Sequence, residues 1–258
     1  MSEVITLNLW QFSLVYLLLI IVLAIMKKCK IKQTKLLFVA SLRMTVQLVL
    51  AGLILTFIFE NPHPLFTVAY LIAMTGFAIY VVLSRNKGIN RQFKIIVSSS
   101  LALTGLSIVI FFVMAVVGVS IFNPQYTIPL SGMIMGNAMT GVGLGLRSFN
   151  ENLSASRNQT EALLSIGVSP QRALTPLVNR SLETALMPTL HAMIGMGIIS
   201  LPGMMTGQIL SGTMPMTSIM YQIAIVIAIT AVTSLAVFCA LHFGYHTLYN
   251  KRQQMLPH

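Results

Sequence analysis

Methionine dominates the residue types that could do chemistry in this chain: there are 17 Met against 5 His, 2 Cys and five acidic residues, all of them Glu. Met133, Met135, Met139, Met187, Met193, Met196, Met204, Met205, Met214, Met216 and Met220 concentrate in the second half, beside Asn137, His191 and Gln208. Thioether sulfur suits soft ions such as copper(I), whereas iron(II) prefers imidazole or oxygen. Methionine is also a flexible apolar filler, so the same cluster reads as packing alone. Asn137, His191, Met204, Met205 and Gln208 are the candidate lining of a passage. For His191 the alternative is a hydrogen bond between helices. No Asp occurs and no Glu lies deep within an apolar stretch, so a hard-cation path of carboxylates is excluded and the metal ligands stay unassigned. The common catalytic patterns HExxH and G-x-S-x-G are missing, and His63, His242, His246 and His258 lie near the ends of apolar stretches or at the C-terminus. The chain is not expected to be an enzyme. Nor does a phosphate loop G-x-x-x-x-G-K-[ST] occur, so no ATP or other cofactor is expected on it.

The elements that must hold these residues follow from composition. Apolar residues make up 56% of the 258 positions and charged residues 8%, which leaves too little polar surface for a water-soluble domain. The apolar residues come in runs near 8–26, 36–59, 65–83, 95–117, 127–146, 184–201 and 217–246. A run of about twenty crosses roughly 30 Å of hydrocarbon at 1.5 Å per residue. Helices are required, because lipid offers no partner to backbone polar groups and the alternation of a membrane barrel is missing. The fold class expected is therefore all-α and polytopic, with about seven transmembrane helices in a single domain over 1–258. Gly132 and Gly136, Gly141 and Gly145, and Gly203 and Gly207 are spaced by four, which lets helices approach closely. The fifth span could use this spacing within the chain, against a second copy, or along a passage. Pro202 to Gln208 follows the sixth span and stays apolar, which fits either a re-entrant segment or a short interfacial helix.

Charge gives an orientation. Lys27, Lys28, Lys30, Lys32, Lys35 and Arg43, then Arg85, Lys87, Arg91 and Lys94, then Arg147, Arg157, Arg172 and Arg180, then Lys251 and Arg252 all fall on one side of the seven spans. Basic residues accumulate on cytoplasmic loops, so the N-terminus with Glu3 is expected outside and the C-terminus in the cytoplasm. The same partition explains the net charge of +11 without nucleic acid, since no basic face with interleaved aromatics remains outside the spans. The first span has no basic residue ahead of it and reads as a retained anchor. Cys29 and Cys239 imply no disulfide framework.

The longest non-apolar stretch, about 148–183, holds Glu151, Glu161 and Glu183 and is the expected cytoplasmic coupling segment. Within it, Ala162, Leu163, Leu164 and Ile166 offer a short apolar face, Gly167 ends the turn, and Ser169 caps a second short helix with Pro170 at its first position. An amphipathic helix resting at the lipid interface is the plainer reading. Glu161, Ala162 and Gly167 resemble the Glu-Ala-Ala, three residues, Gly pattern of ABC transporter permeases. Leu163 replaces the second Ala, and the Leu-Pro half of that motif does not align with Pro176 or Pro188. Together with Ser131–Leu153 and Ser200–Gly212, this segment is similar to the FetB/YbbM family of bacterial permeases, related to plant aluminium-tolerance half-transporters. The resemblance runs from about residue 10 to 250. It implies a permease of the cell (inner) membrane, driven by a separate ABC ATP-binding subunit that docks at Glu161, Ala162, Gly167, Pro170 and Arg172. It further implies export of a metal ion, with iron proposed. One chain supplies half of the membrane part, so a homodimer in the lipid bilayer is the simplest assembly. A non-transporting receptor or scaffold, and a permease for a non-metal substrate, are the alternatives.

Overall fold

The computed structural model describes residues 8–86 and 88–249. Glu3, Lys87, Lys251, Arg252 and His258, which entered the reading of orientation and chemistry, lie outside the described residues. Every long element is helical: α1 (Leu9–Lys28), α2 (Thr34–Glu60), α3 (Pro64–Arg85), α4 (Arg91–Phe111), α5 (Pro124–Ala155), α6 (Arg157–Ser165), α7 (Pro170–Gly195), α8 (Gly203–Leu210) and α9 (Pro215–Gly244). Prolines open α3, α5, α7 and α9 at the first helical turn, where a missing N–H costs nothing. Each of the seven apolar runs falls on one of the long helices. Five of these, α1, α2, α3, α4 with its extension to Val116, and α9 with its extension to Leu248, are long and apolar enough to cross a bilayer.

The structure corrects two local expectations and, at Pro202–Gln208, forms the short helix that is one of the two readings of that segment. The sixth apolar run does not stay helical to residue 201: α7 stops at Gly195, and Gly197 turns the chain at φ 84, with its N–H donating to Ser200 O at 2.9 Å. The second helix of the coupling segment is not short, because α7 continues from Pro170 through Pro176 and Pro188 for 26 residues. Pro202–Gln208 is mostly the eight-residue α8, with Met205 as its buried residue.

The chain divides into two compact units, Met1–Pro62 with Leu210–Thr213, and His63–Ile209 with Met214–His258. In the first, α1 and α2 form a hairpin tied by a hydrogen bond of 2.7 Å between Tyr16 Oη and Thr45 Oγ1. Its reversal places Lys30 at φ 53, with the Ile31 N–H on Met26 O and the Lys30 N–H on Lys27 O. Leu18 and Leu48 stand 64% and 65% exposed on this hairpin. Such side chains each cost roughly 1.5–3 kcal/mol to leave in water, so the surface belongs in hydrocarbon.

In the second unit α9 packs against α4, α5 and α7, while α5 also packs against α3 and α4. The core between them is filled by Phe93, Leu101, Ile134, Leu146, Phe149, Leu174, Ile225 and Leu241, all essentially without exposure. The last turn of α4 widens into a π-helix, Phe112–Val116, where the Val117 N–H reaches Phe112 O at 2.9 Å. At 32 residues, or about 48 Å, α5 is longer than a bilayer core is thick and continues well past its apolar run.

Candidate functional site

Two places gather the residues singled out above. The first is a helical hairpin made from the end of α5, then α6, then the first half of α7. Its inner face is closed by Leu153, Thr160, Ala173, Leu174, Val178 and Ser181, all buried. The outer face carries ion pairs at i,i+4, the Arg147 Nε on Glu151 and the Arg157 Nε on Glu161, both at 2.8 Å. The hydrogen bond that Arg147 donates to the Glu151 carboxylate raises its guanidinium above the ordinary pKa, so it is charged at any physiological pH.

The turn between α6 and α7 has a defined chemistry. The Val168 N–H bonds Leu163 O at 3.0 Å and the Gly167 N–H bonds Leu164 O at 3.1 Å, the paired 6→1 and 5→2 bonds of a Schellman motif. Gly167 sits at φ 87, where a Cβ would be strained although open space surrounds it. Ser169 occupies the cap position of α7 with extended backbone, but its hydroxyl makes no cap hydrogen bond. The side-chain cap expected there is thus not formed, and its carbonyl takes the Ala173 N–H instead. Glu161, Ala162, Gly167 and Arg172 are exposed and Pro170 is half-buried. Ile166, at the tip, is 77% exposed on a segment rich in polar residues. It lines a shallow hollow with Val168, Gln171 and Arg172.

The second place is a cavity of about 600 Å³ lined by Met193, Met196, Met205 and Gln222, with Leu201, Pro202 and Val226 among its apolar walls. The Gln222 Nε2 donates to Met196 Sδ at 3.9 Å, and the Thr230 hydroxyl, which has Val226 O at 2.8 Å, lies 3.5 Å from Met193 Sδ. Gln222 is 6% exposed, and its Oε1 has no hydrogen-bond partner. Of the five residues proposed to line a passage, Met205 alone lines this cavity. Asn137 and His191 are exposed on α5 and α7, the former donating to Met133 O at 2.8 Å. Met204 packs, partly buried, against the core, and Gln208 is half-buried on α8. Gln222 escaped the sequence reading. The available signal was the single carboxamide in the 30 residues of α9. Among the described residues no group of three or more His, Cys, Asp or Glu side chains could hold a metal ion.

The glycines of α5 divide by direction. A Cβ on Gly141 would strike Thr233, and one on Gly145 would lie 2.8 Å from Val237 Cγ1 and 3.4 Å from Ala185 Cβ, so both face α9 and the second also faces α7. Gly132 faces Met74 of α3 at ordinary contact distance, while Gly136 meets open space. Gly203 and Gly207 on α8 also meet none.

Apolar helices exposed along most of their length make this a multi-pass helical membrane protein. The chain belongs to the family described as "Uncharacterised protein family (UPF0014)", which it matches over residues 9–249. It is 31% identical over 251 residues to the "Probable iron export permease protein FetB" of Escherichia coli (strain K12), covering 96% of both chains. To the "UPF0014 membrane protein YjkA" of Bacillus subtilis (strain 168) it is 29% identical, covering 95% of this chain and 97% of the relative. Over 216 residues it is 29% identical to the "Protein ALUMINUM SENSITIVE 3" of Arabidopsis thaliana, covering 84% of this chain and 78% of the relative. No solved structure matches it.

Proposed function

We propose that this chain is the membrane-spanning permease of an ATP-driven exporter, with ATP bound on a separate ABC subunit. The observation that carries this reading is the α5–α6–α7 hairpin. It is a helical projection beyond the apolar runs, and at its tip a rigid glycine turn presents an exposed Ile166. An apolar tip on a charged segment fits a groove in a soluble partner, and a stiff hairpin passes that partner's closure to the spans as a rigid-body movement. Glu161, Ala162, Gly167, Pro170 and Arg172 form the docking surface. The apolar runs give seven spans, the basic residues put the N-terminus outside and the C-terminus in the cytoplasm, and the family resemblance suggests the inner membrane. A homodimer completes the membrane part.

A metal ion is the substrate that the name of the Escherichia coli relative supports, and iron is the metal it gives. The cavity of Met193, Met196, Met205 and Gln222 is the place for its passage. Its donors are thioether sulfurs and an amide, which favour a softer ion, so copper(I) is the second reading.

The test is ATP hydrolysis by the full chain reconstituted in nanodiscs with a phosphate-loop ATPase, scanned against iron(II), copper(I), zinc, manganese and aluminium. Stimulation by one metal, lost with Ile166→Asp while the protein still inserts, supports the whole reading. Failure to associate with any ATPase rejects it. Undiminished metal response in Met193→Leu/Met205→Leu, which preserves volume but removes sulfur, removes the cavity from the path.

A further inference from the structure

We propose that the inner ends of α3 and α5 form a binding site for the phosphate headgroup of an anionic phospholipid, held between Arg85 and Arg147. The two arginines come from different helices, yet both line one cavity of about 220 Å³. Each follows the apolar run of its own helix, Arg85 in the last turn of α3 and Arg147 one residue beyond the run in α5. The site therefore lies at the level where lipid phosphates sit.

The charged donors of this cavity are the arginines. Asn86, which is buried, gives one of its two amide N–H groups to Val82 O, and Thr140 gives its hydroxyl to Gly136 O. Arg147 uses its Nε on Glu151, which leaves its terminal nitrogens for a second anion. Arg85 makes no ion pair among the described residues. A guanidinium matches phosphate geometry, and a phosphate seated in this cavity can draw on an arginine from each wall.

Two further features favour a lipid over free phosphate. The remaining walls are apolar, Val81 and Leu144 among them, which suits a ligand that carries acyl chains beside its charge. Gly143 supplies the room: a Cβ there would meet no atom within 4 Å, so the cavity exists partly because this position has no side chain.

The experiment is native mass spectrometry of the delipidated full-length protein titrated with phosphatidylglycerol, phosphatidylcholine or inorganic phosphate. Arg85→Gln/Arg147→Gln removes the charges. Gly143→Leu fills the cavity and keeps both arginines. Arg91→Gln/Lys94→Gln removes two exposed charges elsewhere as a control. Phosphatidylglycerol retention should exceed that of phosphatidylcholine, fall at least ~10-fold in each of the first two variants and stay unchanged in the control, given the affinity each basic residue lends to acidic lipid. Millimolar phosphate should not displace the lipid. Wild-type retention in Gly143→Leu, or equal loss in the control, would mean diffuse charge attraction and overturn the site. Displacement by phosphate alone would overturn the lipid as its occupant. Either of the first two variants decides the matter if the other fails to fold.

Discussion

Gly167 and Lys30 occupy the same position of the same motif at the ends of α6 and α1, and both sit in the left-handed region, at φ 87 and φ 53. The conformation costs a side-chain-bearing residue about 1–2 kcal/mol, so Gly167→Ala should destabilise its turn by that amount and weaken coupled ATP hydrolysis. Lys30→Gly should raise stability by up to about 1 kcal/mol, part of the relief being cancelled by the greater entropy of unfolded glycine. Thermal unfolding in detergent reads both. Thr233 makes the opposite case within α9: its hydroxyl is buried and makes no hydrogen bond, while its methyl touches Gly141. Thr233→Val keeps the methyl and removes the orphaned hydroxyl, and should stabilise by about 1 kcal/mol. Gly167 and Pro170 were legible in the sequence, because a helix stop and a helix start are local events. Gln222 was not, because its meaning comes from the Met196 sulfur, just past the end of α7, which only the folded chain brings near it.

At the scale of the element, small-residue spacing says that a close approach exists but not which helix makes it. Gly141 and Gly145 face α9, whereas Gly136, equally placed in the pattern, faces open space. Gly141→Ala should therefore cost about 1–3 kcal/mol by overpacking. Gly136→Ala should be neutral or gain about 0.5–1 kcal/mol through lower backbone entropy in the unfolded chain. A equal loss from both would mean that another surface covers Gly136. Gly105 against Met135 and Gly244 against Phe93 are approaches of the same kind. They carry no spacing pattern and could not be read from the sequence, since each depends on a helix pairing across many residues. The apolar runs located the long helices well because hydrocarbon demands length and apolarity alone. They failed at Gly195, where a turn built from backbone hydrogen bonds interrupts an apolar run without a polar residue to announce it.

For the whole molecule, the proposed orientation places Asn123, ahead of α5, outside and Ile166 inside. With Cys29 and Cys239 replaced, a cysteine at 123 should react with a membrane-impermeant maleimide in intact cells, and one at 166 only after permeabilisation. The reverse pattern would invert the topology. The continuity of α5 has a mechanical consequence. It is one helix whose Gly141 and Gly145 lie close against α9, with about 15 Å of helix beyond that contact toward Ala155 and about 25 Å toward Pro124. A rod held at such a point is a lever with unequal arms. A displacement of its short arm would be enlarged by roughly two-thirds at the far end, in proportion to those lengths, which is the amplification the proposed coupling would use at the other face of the membrane.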